Sequence, residues 1–366
     1  MKVAFITTNF GFGPVSKTNY IMKALREKSP QAIIDFFGSG VAREFILNNS
    51  PINNVYTWES EDGIAALDEV IKNYDFVVNV MEMDVLPIWK KEYPPLILVD
   101  SLNWMWDEIP KGIENASKYF IQDFLLDHKN IDESVVDTYI VNPITVIDKS
   151  VYKEEDWMLV NYSGMCNPFT SPDFFSLYTR TLTKIIIEKF SDKFGKIVFT
   201  TNSQLIDELQ TEFSQYSNIH FEYLSHDEFI KAMKKSRIVL TTPGITATLE
   251  GKMLGKRMGY LLPSNYSQVL LSEKYYDMNP SCKTMKFTAF DQSFAIPEEL
   301  PESIAVPMVN EAVQEILRNH KSQIEEMVKD IVNNALPYEK QEIENLGQDQ
   351  IVNEMLQMER RYQYAY

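Results

Sequence analysis

Three short segments carry residue types that could hold a polar, charged ligand. One is Thr241-Thr242-Pro243-Gly244-Ile245-Thr246-Ala247-Thr248-Leu249-Glu250-Gly251, where an apolar run leads through a small-residue turn into a helical pattern. Backbone N–H groups at such a helix start face outward, Gly244 permits close approach, and the Thr246 and Thr248 hydroxyls add donors. That chemistry suits a diphosphate and needs no lysine. Glu250 follows on the same helix, and a carboxylate suits the paired hydroxyls of a ribose. By itself the segment reads rather as a capped surface helix with a solvated glutamate. A second turn of this kind is Asn9-Phe10-Gly11-Phe12-Gly13-Pro14-Val15-Ser16-Lys17. It lacks the third glycine of a dinucleotide fingerprint and the Gly-Lys-Ser/Thr of a triphosphate loop, so a plain turn reads as well. The third, Leu262-Pro263-Ser264-Asn265-Tyr266-Ser267-Gln268, lines up amides and hydroxyls that match sugar hydroxyls.

A different chemistry is suggested by Val99-Asp100-Ser101-Leu102-Asn103-Trp104-Met105-Trp106-Asp107. Two tryptophans beside a carboxylate suit a planar or sugar-like acceptor, with Phe12 as a further aromatic contact. Asp100 is the candidate base, since desolvation between aromatic walls would raise its pKa. The other reading makes Trp104 and Trp106 core residues and Asp100 a turn cap. Glu82 and Asp84 are rivals for the base, and Gln122 and Asp123 follow the next strand pattern. With only 4 histidines, a mechanism built on a histidine cluster is disfavoured.

These turns need a scaffold. Apolar runs rich in β-branched residues alternate with amphipathic stretches, which predicts parallel strands joined by crossover helices and an α/β class. The first series has strands over 3–8, 33–37, 76–80, 96–99 and 119–122, with helices over 17–28 and 63–73. A second begins at Trp157 and includes strands over 196–201, 220–224, 237–242 and 258–262. Ser171-Pro172-Asp173 is a helix start, and Ser225 with Glu228 forms a capping box for a helix over 227–235. Helices are also expected over 204–213 and 244–254, the latter stopped by Gly255. The proline-broken stretch 141–156 is the expected hinge, 284–307 is loop-like, and helical periodicity returns over 309–335.

Composition narrows the function classes. A chain of 366 residues is more than one core usually organises, so two domains are expected. Its formal net charge of −17 sets the mean field against a nucleic acid partner. The 2 cysteines, Cys166 and Cys282, suggest neither a disulfide framework nor a zinc site, and the compartment expected is the cytoplasm. No run approaches the roughly 18 apolar residues of a membrane-spanning helix. No Asp-x-Asp metal and diphosphate motif is found, and no metal or cofactor is expected.

In order and spacing, the span from Ser225 to Tyr275 resembles the donor-binding half of GT-B fold glycosyltransferases. The nearest groups are the UDP-N-acetylglucosamine transferase that completes lipid II and the UDP-glucuronosyltransferases. The matching residues are Thr242, Gly244, Thr246, Thr248, Glu250, Leu254-Gly255-Lys256, Pro263, Asn265 and Gln268. The resemblance implies Gly244 to Thr248 on the diphosphate, Glu250 on the ribose, Gln268 at the donor sugar, Leu224 beside the uracil, and Asn265 among the donor-binding residues. It also turns Ser163-Gly164 toward the phosphates, where N–H groups near Ser163 and Gly13 would help hold the leaving group. Where these families commonly carry a histidine near the first glycine loop, this chain has Phe12, Pro14, Val15 and Ser16. Phe10-Gly11-Phe12-Gly13 with Ser16-Lys17, and Asp100-Ser101-Leu102, are similar to cytosylglucuronate synthases.

The expected architecture is therefore GT-B: Rossmann-like domains over 1–150 (acceptor) and 151–345 (nucleotide sugar) facing each other across a cleft. Residues 346–366 should form a helix packing back on the first domain. The expected reaction is metal-independent, inverting transfer from a UDP-sugar to a small-molecule acceptor. The alternatives are glucuronate transfer to a pyrimidine base, a UDP-sugar epimerase or hydrolase, and a non-catalytic nucleotide-sugar-binding protein.

Overall fold

The computed structural model describes residues 1–59, 67–106, 108–124, 128–129, 131–132, 134–146, 150, 152–165, 170–201, 203–278, 282–340 and 342–363. The chain divides into two compact units, one of Met1–Val146 with Glu342–Tyr366, the other of Ile147–Gln341.

In the first unit, β1 (Lys2–Thr7), β2 (Ile33–Gly38), β3 (Asn54–Thr57), β4 (Phe76–Val80), β5 (Leu96–Asp100), β6 (Lys118–Gln122) and β7 (Thr138–Val141) form one parallel sheet in the order 3-2-1-4-5-6-7. The central strands are apolar on both faces because both are covered, as a doubly wound sheet requires. Helices α1 (Phe12–Lys28) and α2 (Gly40–Asn49) cover one face, and the short α3 (Asp68–Ile71) follows β3. The order reverses between β1 and β4, so the loops after these two strands diverge at their carboxyl ends.

The second unit repeats this plan. Its sheet runs β10 (Ile219–Glu222), β9 (Lys196–Thr200), β8 (Trp157–Asn161), β11 (Ile238–Thr241), β12 (Met258–Tyr260) and β13 (Lys283–Thr284), all parallel, with its switch point between β8 and β11. Its helices are α4 (Pro172–Phe190), α5 (Ser203–Glu212), α6 (His226–Lys235), α7 (Ile245–Met253), α8 (Tyr266–Met278), α9 (Glu302–Asn319) and α10 (Lys321–Asn334). Ser171 caps α4 by accepting from the Phe174 N–H at 3.2 Å, and the Ser225 and Glu228 capping box starts α6. Gly255 stops α7 at φ 63°, a left-handed conformation that costs a glycine little.

The last helix, α11 (Gly347–Gln363), returns to the first unit and packs on α1 and β7. Ile351, Val352, Met355 and Met358 join the cluster that holds Val3, Phe5, Ile21 and Leu25. At its start, the Gln348 side-chain amide donates to the Thr145 carbonyl at 2.7 Å. Further along, Glu354 meets Lys118 at 3.0 Å.

Several expectations needed correction. Helix α1 begins at Phe12, five residues before the expected start at Lys17, because Gly11 at φ 62° makes the turn and Pro14 fits a first helical turn, where its missing N–H has no partner to lose. Pro307 lies inside α9, so residues 302–307 are helical rather than loop. Helix α2 and the strands β3, β7 and β13 were not anticipated; β3 and β7 are short edge strands with partly exposed faces and no alternating apolar signal. The helix expected over 63–73 shows only Asp68–Ile71, residues 60–66 lying outside the described set, as do Asp107 and Cys166. Among the described residues, no helix is long and apolar enough to cross a membrane.

Candidate functional site

In the second unit the switch point draws together three segments distant in sequence. After β8, Asn161 turns the chain by accepting the Ser163 N–H at 3.0 Å, leaving Ser163 and Gly164 half-buried in a short 3-10 turn. After β11 come Thr242, Pro243 and Gly244, the last being the N-cap of α7 with no side-chain cap bond. After β12, Asn265 opens α8 by accepting from the Gln268 N–H at 3.0 Å and the Ser267 hydroxyl at 2.9 Å. The Gln268 amide then donates to the Gly164 carbonyl at 3.2 Å, while its oxygen accepts from the Ser264 N–H at 2.8 Å and the Ser264 hydroxyl at 3.0 Å. Packing is close: a Cβ on Gly164 would stand 2.4 Å from Thr242 Oγ1 and 2.9 Å from Gln268 Nε2. The corner is thus built of backbone and small polar groups, with the first-turn N–H groups of α7 beyond intrahelical acceptors.

Beside this corner, Glu250 is buried one turn into α7, and its Oε1 lies 2.7 Å from Nε2 of buried His226 at the start of α6. His226 was not singled out from sequence. The capping box fixes it as the first residue of α6, but nothing in the spacing shows that it meets a side chain 24 residues on. Leu224 is half-buried immediately before that cap. Thr246 is buried on the first turn of α7.

Thr248 is a correction. It is fully buried, and Tyr260 donates to its hydroxyl at 3.0 Å, so it serves the packing of α7 on β12 rather than a diphosphate. Gln268 also differs from expectation, since both ends of its amide already hold the loop after β12 to the Ser163-Gly164 turn.

In the first unit, the loops after β1 and β4 leave adjacent strands at the other switch point. The Thr8 N–H donates to the Val80 carbonyl at 3.3 Å and the Met81 N–H to the Val99 carbonyl at 3.1 Å, which fixes where both loops leave the sheet. Met81 has φ 62°, a left-handed conformation unfavourable for a side chain of its kind. The Asn79 side chain holds the distortion from both sides: its oxygen accepts the Glu82 N–H at 2.9 Å and its amide donates to the Glu82 carbonyl at 2.8 Å. The outcome is a partly buried Glu82 at the mouth of the sheet. Burial lifts its carboxyl to about 7, the Asp84 charge adding to the rise and the Asp84 N–H opposing it. Asp84 itself is exposed.

Asp100 follows the second of its two readings, that of a turn cap. Its side chain is fully buried and accepts from the Leu102 N–H at 2.6 Å, the Trp106 indole at 2.8 Å and the Tyr119 hydroxyl at 2.7 Å. Burial drives its pKa up, against those three donors and the charge of nearby buried Lys17. The carboxylate ties the loop after β5 to β6. Trp104 is core, its indole donating to the Ser101 carbonyl at 3.2 Å, and Trp106 is half-buried but fastened to Asp100. Phe12 leans on Phe45, ring centroids 5.9 Å apart, and Gly13 lies in the first turn of α1 rather than in a loop. Gln122 is buried and accepts from the Ile144 N–H at 3.2 Å, while Asp123 lies 3.3 Å from His128.

No protein-family model matches the sequence, and no curated protein does. Solved structures do match in fold over nearly the whole chain. The UDP-GlcNAc 2-epimerase from Neisseria meningitidis bound to UDP-GlcNAc is 13% identical, covering 98% of this chain and 100% of its own, at a TM-score of 0.52. The glycotransferase of kitacinnamycin is 11% identical, covering 97% and 98%, at 0.53. UGT71G1 of Medicago truncatula, complexed with UDP-glucose, is 9% identical, covering 97% of each chain, at 0.51. The fold is α/β of the GT-B type, with two Rossmann-like domains.

Proposed function

We propose that the protein is a glycosyltransferase that holds a UDP-sugar on its second unit and transfers the sugar to a small-molecule acceptor on its first. The observation that carries this reading is the convergence of Gly164, Thr242 and Gln268 at the switch point of the second sheet, with the α7 N-terminus beside them. Such a corner accepts a diphosphate through backbone N–H groups, which suits a chain of net charge −17 that has no excess of cations. Ser163, Gly244 and Thr246 contact the phosphates, Glu250 held by His226 takes the ribose hydroxyls, Leu224 flanks the base, and Asn265 lies toward the sugar while Gln268 holds the Ser163-Gly164 turn in place. Thermal denaturation with UDP, dTDP, GDP and CDP sugars tests this, since a ligand of the folded state raises the midpoint. UDP compounds should give the largest rise, and a larger rise with GDP compounds overturns the uracil assignment.

Glu82 replaces Asp100 as the base in this reading, because it is the partly exposed carboxylate with a working pKa near neutrality. An acceptor O–H or N–H gives its proton to Glu82 while the acceptor atom bonds to the anomeric carbon. The bond from that carbon to the β-phosphate oxygen breaks, and UDP leaves with the electron pair. Attack from the face opposite the diphosphate inverts the anomeric centre. Helix and turn N–H groups receive the leaving charge.

The neighbouring pair Glu82 and Asp84 also favours a second reading, a UDP-sugar epimerase or hydrolase in which both carboxylates act on the sugar itself. Incubation with UDP-sugar alone separates the two: an epimeric UDP-sugar, or free sugar with UDP, appears only under the second reading.

A further inference from the structure

A cavity of about 250 Å³ in the second unit lies away from the corner just described. Its walls are Phe190 at the end of α4, Lys193 and Phe194 in the turn that leads to β9, Arg237 and Ile238 at the start of β11, Arg257 before β12, and Val332 and Asn333 at the end of α10. All strands of this sheet run the same way, so these residues mark its amino edge, whereas the Thr242 and Gly244 turn leaves its carboxyl edge. The length of β11, about 13 Å for four residues, separates the two.

The chemistry of the cavity is two-sided. Phe190, Phe194, Ile238 and Val332 are buried and apolar. Around them stand three cations. The Arg237 guanidinium stacks on the Phe194 ring at 4.2 Å and pairs with Asp156 at 2.9 Å. The exposed Lys193 ammonium lies 5.2 Å from the Phe190 ring centre and has no carboxylate partner among the described residues. The half-buried Arg257 side chain has neither a carboxylate nor a hydrogen-bond acceptor among the described residues. In a chain with 52 acidic and 35 basic residues, two of the three cations here stand without a carboxylate among the described residues. A partly desolvated guanidinium gains most from a planar anion it can grip with two N–H groups. The volume is below the range usual for drug-sized ligands, so the guest is about one ring in size.

We propose that this cavity binds a small organic anion, with its phosphate or carboxylate on Arg257 and Lys193 and its apolar body against Phe190, Ile238 and Val332. The site is separate from the nucleotide corner and remains even if the donor assignment fails.

Calorimetric titration of the full chain with phenyl phosphate, in the presence and absence of saturating UDP, tests it. One equivalent should bind in both cases, and inorganic phosphate should bind at least tenfold more weakly because it leaves the apolar wall bare. R257Q should weaken phenyl phosphate at least tenfold with UDP affinity unchanged. The exposed K193Q, which leaves the interior intact, should weaken it severalfold and keeps the test open if R257Q does not fold. Displacement by UDP, equal affinity for inorganic phosphate, or unchanged binding in K193Q overturns the assignment.

Discussion

Glu250 Oε1 lies 2.7 Å from His226 Nε2, with both side chains buried at the junction of α6 and α7. The pair joins the helix that would flank the base to the helix that would carry the ribose contact. Replacing Glu250 by alanine should therefore do two things. It should abolish the thermal shift given by UDP, and it should destabilise the ligand-free protein by about 1–3 kcal/mol, because the buried bond to His226 is lost. H226A should lower stability by a similar amount but retain weakened UDP binding. Chemical denaturation of both variants, with and without UDP, separates these effects; full UDP binding in E250A refutes the ribose role.

The Gly164 contacts set a steric limit. A methyl group there meets Thr242 Oγ1 and Gln268 Nε2 at distances that require movement, and Gln268 is held at both ends of its amide. G164A should cost about 1–3 kcal/mol of stability through local overpacking. It should also lower UDP affinity at least tenfold. An unchanged dissociation constant from equilibrium titration would remove this turn from the nucleotide site.

Glu82 makes a pH prediction with two signs. Its folded-state pKa, about 7, is above the ordinary 4.5, so between these values the folded protein holds a proton that the unfolded chain has lost. Its contribution to stability therefore falls as pH rises from about 4.5 to about 7. E82Q should flatten that part of a stability profile by about 1–2 kcal/mol once solvent screening is allowed for. Activity moves the other way: only the ionised carboxylate accepts a proton, so kcat should climb across pH 7 in the parent and be nearly lost in E82Q. A parent rate profile without that limb sinks Glu82 as the base.

Asp100 should behave differently. D100N places an amide where the Leu102, Trp106 and Tyr119 donors converge, and one of those donors then faces an N–H. A loss of about 1–3 kcal/mol is expected by calorimetry. The pH at which the remaining activity rises should stay that of the parent. A displaced limb would restore Asp100 as the titrating group.

How far the residues disclosed these features depends on how local the causes are. The Ser171 cap, the Ser225 and Glu228 box and the Gly255 stop involve neighbours within a turn, and each stands where its residue types predict. Gly13 and Pro14 misled for the opposite reason: they disfavour helix interiors, and only the Gly11 turn makes them a helix start. Pro307 misled in the same way. The Gly164, Thr242 and Gln268 corner was foreshadowed by three separate turns, but the bonds joining them needed the sheet order. Asp100 as a turn cap with Trp104 in the core was one of two readings open in sequence, but its bond to Tyr119, 19 residues on, carries no mark there. Met81 offered no sign at all, since a left-handed methionine is imposed by the Asn79 clamp around it.

The return of α11 to the first unit has a consequence for how the polypeptide is made. As it leaves the ribosome, the second unit is complete before Ile351, Val352 and Met355 emerge to close the first. Throughout that interval the greasy side of α1 that α11 will seal stands bare to solvent, and slow translation of residues 342–363 should lower yield by prolonging that exposure.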